Sequence, residues 1–232
     1  MLTQTHEAGK EKCYPYWPSD QDGAGSETQL PGNNEDPSFE GTVSLISTTE
    51  DKIAKCTVRR LKLRSRTRTG DETTEPAWEQ KEVWHLLFGG WPDFAVPEGD
   101  DRQALKELIS LSRRLNAFAP PPKDTSFPVA AIDTSLPTMT DELNPRTVHC
   151  SAGVGRSGSF IALDHLFTML DAGKLDEVPD EEDPIAETVD RLRQQRMMMV
   201  QGESQFYFLY EVLREGWLDR YRGKQDQVAA AK

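Results

Sequence analysis

One stretch in the last third of the chain constrains the fold most. Residues 147–150 have the apolar character of a strand end, residues 151–158 form a glycine-rich run, and residues 159–170 have helical periodicity. A strand, a tight loop and a helix in this order direct consecutive backbone N–H groups and a helix N-terminus at one point. This arrangement predicts a concave site for an anion of about the size of phosphate.

The side chains of this stretch indicate chemistry on the bound anion. A thiolate is favoured at a helix N-terminus beside arginine, so we expect a lowered pKa for Cys150. Arg156 follows six residues later, and its planar fork can hold two phosphate oxygens. Ser157 can hydrogen-bond the thiolate, and His149 can orient the loop from behind. The alternative is an inert, buried cysteine in an ordinary glycine turn.

The whole string His-Cys-Ser-Ala-Gly-Val-Gly-Arg-Ser-Gly, residues 149–158, resembles the phosphate-binding signature of the cysteine-based protein tyrosine phosphatases. The resemblance implies a tyrosine-specific, non-receptor enzyme that forms a phosphocysteine intermediate on Cys150 and needs no cofactor and no metal. It also implies a set of residues that bind the substrate phosphate: Ser151, Ala152, Gly153, Val154, Gly155, Arg156, Asp93 and Gln201.

A second motif supplies an acid. Trp91, Pro92 and Asp93 follow the Gly89-Gly90 pair and resemble the mobile acid loop of the family. An aryl oxide leaves poorly unless a positioned acid protonates it, which typically contributes about 10²–10⁴-fold to the rate. The resemblance therefore assigns Asp93 as the general acid, although a lone Trp-Pro-Asp is more often a surface turn.

Two further segments resemble the family, one of them more loosely. Gln201 and Gln205 match the two glutamines of the family's glutamine loop, which orients the water that hydrolyses the phosphocysteine. Near the start of the chain, the looser match implies that Glu7 pairs with Arg156 and that Lys12 lies beside the acid loop. Without the resemblance, Glu7 and Lys12 are ordinary solvated charges.

The remaining sequence predicts a fold that is α/β in the broad sense, of the α+β kind: a mixed, twisted β-sheet flanked by helices. Strands are expected at residues 42–47, 54–64 and 80–88, and helices at 101–118, 156–170, 184–196 and 204–221. We expect one catalytic domain over residues 1–222, with polar insertions near 19–38 and 119–145 and a disordered tail at 223–232.

Composition limits the partners and the compartment. A net charge of −12 argues against a nucleic-acid partner, and we expect none. No apolar run is long enough to span a membrane, and no signal peptide or lipidation signal opens the chain, so we expect no membrane partner. Three widely spaced cysteines fit a reducing compartment, the cytosol or the nucleus. The expected partners are phosphotyrosine proteins, with kinases of a signalling pathway as further candidates.

The resemblance breaks at the start of the chain. It begins well inside the family's catalytic domain, so we expect a chain that lacks the N-terminal third, including the Asn-Arg-Tyr segment that walls the substrate pocket. Two alternatives to an active tyrosine phosphatase stay open. The first follows from the missing N-terminal third, and the second follows from the Cys-x5-Arg spacing, which is weak evidence by itself. One is a catalytically impaired phosphotyrosine-binding or regulatory fragment, and the other is another Cys-x5-Arg enzyme such as a dual-specificity phosphatase or an arsenate reductase.

Overall fold

The computed structural model of the protein describes residues 1–30, 39–67, 77–117 and 145–230, the last eight of these as backbone only. Six strands and four α-helices lie in these ranges: β1 (His6–Glu7), β2 (Lys10–Glu11), β3 (Glu27–Leu30), β4 (Phe39–Asp51), β5 (Cys56–Thr67), β6 (Glu79–Phe88), α1 (Gly99–Ala117), α2 (Gly155–Asp171), α3 (Pro184–Gln195) and α4 (Glu203–Ala230). The α+β class is thereby confirmed.

The chain separates into two compact units. The first comprises Met1, Thr3–Gly89 and Lys106–Arg146, and the second comprises Leu2, Gly90–Leu105 and Thr147–Lys232. We call them the sheet unit and the helical unit after their main elements. One domain over residues 1–222 therefore stays a prediction, while two compact units are what the structure shows.

The sheet unit is built on an antiparallel meander. Its four-stranded sheet has the order β3-β4-β5-β6, and a separate two-stranded hairpin, β1-β2, precedes it in the sequence. Alternating apolar residues put Val43, Leu45 and Leu61 in one buried cluster with Trp17. Burying a side chain of this size stabilises a fold by about 1.5–3 kcal/mol. The three strands predicted from this alternation are confirmed as β4, β5 and β6.

The polar stretch expected to be a solvated insertion is partly ordered. Asp20–Asp22 form a 3₁₀ turn, and β3 pairs antiparallel with β4 from Glu27↔Ser44 to Leu30↔Gly41. The Asp20 carboxylate also accepts hydrogen bonds from the buried Arg59. A strand of four residues with a single large apolar side chain gives too short an alternation to be read from sequence, so β3 was not predicted. Residues 31–38 and the insertion near 119–145, apart from residue 145, lie outside the described residues.

The helical unit packs α3 and α4 against α2. The buried faces of the three helices supply its core, with Leu163 and Leu166 from α2, Val189 from α3 and Leu209 from α4. Trp91 is 1% exposed and meets the Phe208 ring edge-on at 6.0 Å. These contacts form the core of the unit that carries the loops around Cys150.

Several boundaries differ from the predicted ones. Helix α1 begins at Gly99, where a start at residue 101 was expected, so Asp100 and Asp101 lie in its first turn. Helix α4 continues to Ala230, beyond the point where a disordered tail was expected. Residues 147–150 form no strand in the described chain, and every described strand pair is antiparallel, where a mixed sheet was expected. No described helix is both long enough and apolar enough to cross a membrane.

Candidate functional site

The loop after Cys150 curls around the thiol. Residues 151–154 are a series of bends, and α2 begins directly after them at Gly155. Gly153 has φ +71°, a conformation that favours glycine, and its N–H donates a hydrogen bond to the Cys150 Sγ at 3.2 Å. The first turn of α2 carries no acidic side chain and has no side-chain cap. Its N-terminal N–H groups are therefore suited to an anion.

The electrostatics of this loop favour a thiolate. Burial raises the pKa of the Cys150 thiol, but the Ser157 side chain, the N–H groups of Ser157 and Gly153 and the Arg156 charge outweigh burial and hold the pKa below its usual value. Cys150 itself is only 7% exposed. A buried thiolate held by donors is the form of cysteine that attacks an electrophile.

Arg156 joins this loop to the acid loop. Its guanidinium is buried, and Nη2 donates to the Asp93 Oδ1 at 2.9 Å while Nη1 donates to the Trp91 carbonyl at 3.1 Å. The structure thus brings together the two motifs that lie 63 residues apart in sequence. Arginine and aspartate meet inside one unit, beside the thiol-bearing loop.

The acid loop is held at one end and exposed at the other. Trp91 is buried, and its Nε1 donates to the Ala95 carbonyl at 3.0 Å, which closes the loop on itself. Phe94 is 78% exposed and adopts φ 59°, so the turn directs this ring to solvent. The Asp93 side chain between them is 28% exposed. Asp93 therefore reaches both Arg156 and solvent.

His149 precedes the nucleophile, and Ser157 lies in the first turn of α2; the roles expected of them stay predictions. Ser157 is 1% exposed, and its side chain contributes to the lowered pKa of Cys150. The His149 carbonyl accepts a hydrogen bond from the Leu2 N–H at 2.9 Å, and its ring Nδ1 lies 3.4 Å from the Cys150 carbonyl. Burial lowers the pKa of His149, which favours a neutral ring. These contacts fix the chain on the N-terminal side of the thiol.

The two predicted glutamines differ in their surroundings. Gln205 is 4% exposed, and its Oε1 accepts hydrogen bonds from the N–H groups of Gln201 at 3.1 Å and Gly202 at 3.4 Å. The Gln205 amide also lies against Gly155, where an added Cβ would come within 3.0 Å of it. Gln201 is exposed. Gln205 therefore lies directly against Gly155, at the end of the loop that follows Cys150. Its hydrogen bonds also fix the backbone of Gln201 and Gly202.

Two arginines that the sequence did not single out as site residues also bind this region. Arg196 donates to the Ala152 carbonyl at 3.1 Å and lies over Gly153. Arg193 donates to the carbonyls of Met199 and Val200, just before Gln201. Both side chains are exposed. Arg193 lies on α3 and Arg196 directly follows it, and an exposed arginine at such a position is usually a solvated charge, so its residue type does not indicate such a contact.

Glu7 and Lys12 lie in the sheet unit. The Glu7 carboxylate accepts hydrogen bonds from the Thr3 hydroxyl at 2.8 Å and the Gln4 N–H at 3.3 Å, and the Lys12 N–H donates to the Thr5 carbonyl at 2.7 Å. The roles implied for them, on Arg156 and beside Asp93, stay predictions. Among the described residues no group of three or more His, Cys, Asp and Glu side chains is placed to hold a metal ion.

A thiol with a lowered pKa, a buried arginine and a carboxylic acid around one glycine loop define the class of cysteine-based phosphate-transfer sites. The family model described as protein-tyrosine phosphatase matches residues 1–215. The chain therefore belongs to the protein-tyrosine phosphatase family.

Individual relatives agree with this assignment. Tyrosine-protein phosphatase 1 of Saccharomyces cerevisiae is 32% identical over 231 residues, a match that covers 92% of this chain and 59% of the relative. Phosphatidylinositol phosphatase PTPRQ of Rattus norvegicus is 32% identical over 213 residues, which cover 92% of this chain and 7% of that protein. The crystal structure of a Trypanosoma brucei protein tyrosine phosphatase matches 93% of this chain and 59% of its own, with TM-score 0.62 and 22% identity, and so shows the shared fold. The chain spans less than two thirds of each of these proteins.

Proposed function

We propose that the protein hydrolyses phosphotyrosine on protein substrates through a phosphocysteine intermediate. The observation that carries this proposal is the arrangement of Cys150, Arg156 and Asp93. The thiol has a lowered pKa, and the arginine that follows it six residues later holds the carboxyl group of the acid loop at 2.9 Å. Nucleophile, phosphate clamp and acid therefore stand within one loop cluster of the helical unit.

In the first step, the Cys150 thiolate attacks phosphorus, so that an S–P bond forms while the P–O bond to the tyrosine ring breaks. The backbone N–H groups of the loop and the Arg156 fork stabilise the transferring phosphoryl oxygens. The substrate phosphate replaces Asp93 on Arg156, which leaves the Asp93 carboxyl group to give its proton to the departing phenol oxygen. Ser157 stabilises the sulfur before attack and again when it leaves.

In the second step, water attacks the phosphocysteine. A new P–O bond forms, the S–P bond breaks, and the water proton passes to the Asp93 carboxylate. Gln201 and Gln205 orient this water, which fits their positions at the N-terminus of α4 and against Gly155. The cycle ends with free phosphate and the Cys150 thiolate, and neither step calls for a cofactor or a metal.

The proposal extends to partners and place. We propose phosphotyrosine proteins of a signalling pathway, including kinases, as substrates, and a reducing compartment such as the cytosol or nucleus. The three cysteines are all free, and a reducing compartment keeps the Cys150 thiol active.

Hydrolysis of matched peptides tests the proposal. Purified protein is given a phosphotyrosine peptide, the same peptide with phosphoserine, and a phosphoinositide, because one relative is named for phosphatidylinositol. Wild type is expected to release phosphate from the phosphotyrosine peptide, and folded Cys150→Ser is expected to release none. Preference for phosphoserine supports a dual-specificity enzyme, preference for the lipid supports the chemistry named for the relative, and phosphopeptide binding without turnover supports a binding fragment.

A further inference from the structure

The segment between α3 and α4, Met197–Gly202, carries an unusual backbone, and we call it the α3–α4 loop. Met198 has φ 67° and Val200 has φ 58°. Neither is glycine, and a β-branched residue with positive φ is an outlier even among turns. Such a conformation persists only where the surrounding contacts enforce it. The loop ends at Gln201 and Gly202, so these contacts also set where Gln201 stands.

Two sets of contacts enforce the loop. On the side of the phosphate-binding loop, the Val200 N–H donates to the Val154 carbonyl at 3.2 Å, and Gly158 lies so close that an added Cβ would come within 2.5 Å of the Val200 nitrogen. On the other side, Arg193 donates from Nε to the Met199 carbonyl at 3.0 Å and from Nη2 to the Val200 carbonyl at 2.9 Å. The fully buried Val200 is therefore held through its N–H and its carbonyl.

The Arg193 contact suits arginine and no other side chain. Two successive carbonyl oxygens are held by two N–H groups of one planar fork, which a lysine ammonium cannot match in geometry. The Arg193 side chain is exposed, so its contribution to core packing is small. Its clearest structural consequence is the orientation of the peptide groups that lead into Gln201.

We infer that Arg193 is a positioning residue for the second half-reaction: by holding the carbonyls of Met199 and Val200, it keeps Gln201 and Gln205 where they orient the water that attacks the phosphocysteine. This inference rests on the proposed phosphatase activity. The first half-reaction depends on Cys150, Arg156 and Asp93, none of which Arg193 contacts through these two hydrogen bonds.

The test separates the two half-reactions. Arg193→Gln and Arg193→Lys are compared with wild type and with Arg191→Gln, a matched control that removes an exposed arginine from the same helix. Rapid-quench experiments with an aryl phosphate measure phenol release in the first turnover and, separately, the decay of the phosphorylated enzyme. Added glycerol measures the fraction of phosphoryl groups that pass to an alcohol instead of water.

In Arg193→Gln, phosphoenzyme decay is expected to slow by about 10-fold to 100-fold, since a misplaced catalytic group costs up to about 10²-fold. First-turnover phenol release is expected to stay within about twofold of wild type, and transfer to glycerol to rise, because a displaced glutamine selects water less well. Arg193→Lys is expected to fall between wild type and Arg193→Gln, and Arg191→Gln to match wild type.

Three outcomes overturn the inference. Unchanged phosphoenzyme decay in both folded Arg193 variants shows that the fork does not position the glutamines. An equal loss in phenol release and decay shows a general structural role. Wild type that is folded but forms no phosphoenzyme overturns the proposed function, and the inference with it. Circular dichroism checks folding, and Arg193→Lys keeps the test valid if Arg193→Gln does not fold.

Discussion

Cys56 and Cys150 are both buried, yet their surroundings give them opposite chemistry. Cys56 begins β5 in the sheet unit, where burial, followed by the charges of Asp51 and Glu50, raises the pKa of its thiol to about 12. Cys150 is also buried, but the N–H and O–H donors around it hold its pKa below the usual value. Burial alone therefore makes an inert thiol, and oriented donors turn a buried thiol into a nucleophile.

The buried arginines of the two regions differ in the same way. Arg60 in the sheet unit directs Nε and Nη2 to one oxygen of Glu82, and both residues belong to the paired strands β5 and β6. Arg156 divides its fork between a backbone carbonyl and Asp93, which lies on a partly exposed loop. The Arg60 pair joins two paired strands of the sheet, whereas the Arg156 pair opens to admit a phosphate in the proposed mechanism. Substitution of the acid in the Arg156 pair should therefore lower activity, whereas substitution of the acid in the Arg60 pair should affect stability alone.

The largest expected effect is on activity, in the Asp93→Asn variant. The amide cannot give a proton to the phenol oxygen, so kcat for a phosphotyrosine peptide should fall by about 10²–10⁴-fold. Its oxygen can still accept a hydrogen bond from Arg156, and only the charge of the partner is lost, so the free energy of unfolding should fall by no more than about 1–2 kcal/mol. Steady-state kinetics and urea unfolding on the same samples check both statements. A variant with near wild-type kcat on this substrate would remove Asp93 from the mechanism.

Alkylation by iodoacetamide at pH 7 should label Cys150 much faster than Cys56, since burial raises the pKa of the Cys56 thiol to about 12 while the pKa of the Cys150 thiol is lowered. Because the Cys150 pKa is depressed, its thiolate is present above that pKa, and its labelling rate should fall as the pH drops through it. Mass spectrometry of digested protein reads out each site. Equal labelling of Cys56 and Cys150 in folded protein would contradict the comparison.

The smallest expected effect is on stability, in the Glu82→Gln variant. The Arg60 guanidinium is nearly buried and loses its charged partner, which should lower the free energy of unfolding by about 1–2 kcal/mol after allowance for the partial exposure of Glu82. Activity in the folded variant should stay within about twofold of wild type, because Glu82 belongs to the sheet ladder. A loss of activity as large as that of Asp93→Asn, with unchanged stability, would reverse the contrast.

Sequence alone predicted the parts of the fold that are long and periodic. The strands β4 to β6 and the helices α1 to α4 have enough residues for an alternation or a helical period to emerge. Strand β3 was not predicted because it has only four residues. The C-terminal part of α4 was not predicted because the sequence after Arg222 is mostly polar and lacks a helical apolar periodicity. In both places the local signal was too weak to read.

For the site, features that are local in sequence were predictable, and features that depend on tertiary contacts were not. The Cys150 loop was predictable because the thiol, the glycines and Arg156 are neighbours in sequence. The contact of Arg156 with Asp93 was not predicted as a pair, since it joins two loops through tertiary structure. The hold of Arg193 on Met199 and Val200 depends on the turn after α3, which no pattern of residue types reveals.

Trapping the phosphoryl group on the enzyme tests whether Cys150 is the nucleophile that forms the phosphocysteine. Wild type and Cys150→Ser are mixed with a phosphotyrosine peptide, quenched in acid within the first turnover, digested and analysed by mass spectrometry. A phosphorylated peptide that contains Cys150 is expected in wild type, and none is expected in Cys150→Ser. Phosphate release by wild type without phosphorylation of Cys150, or folded wild type with no release at all, would contradict this role of Cys150.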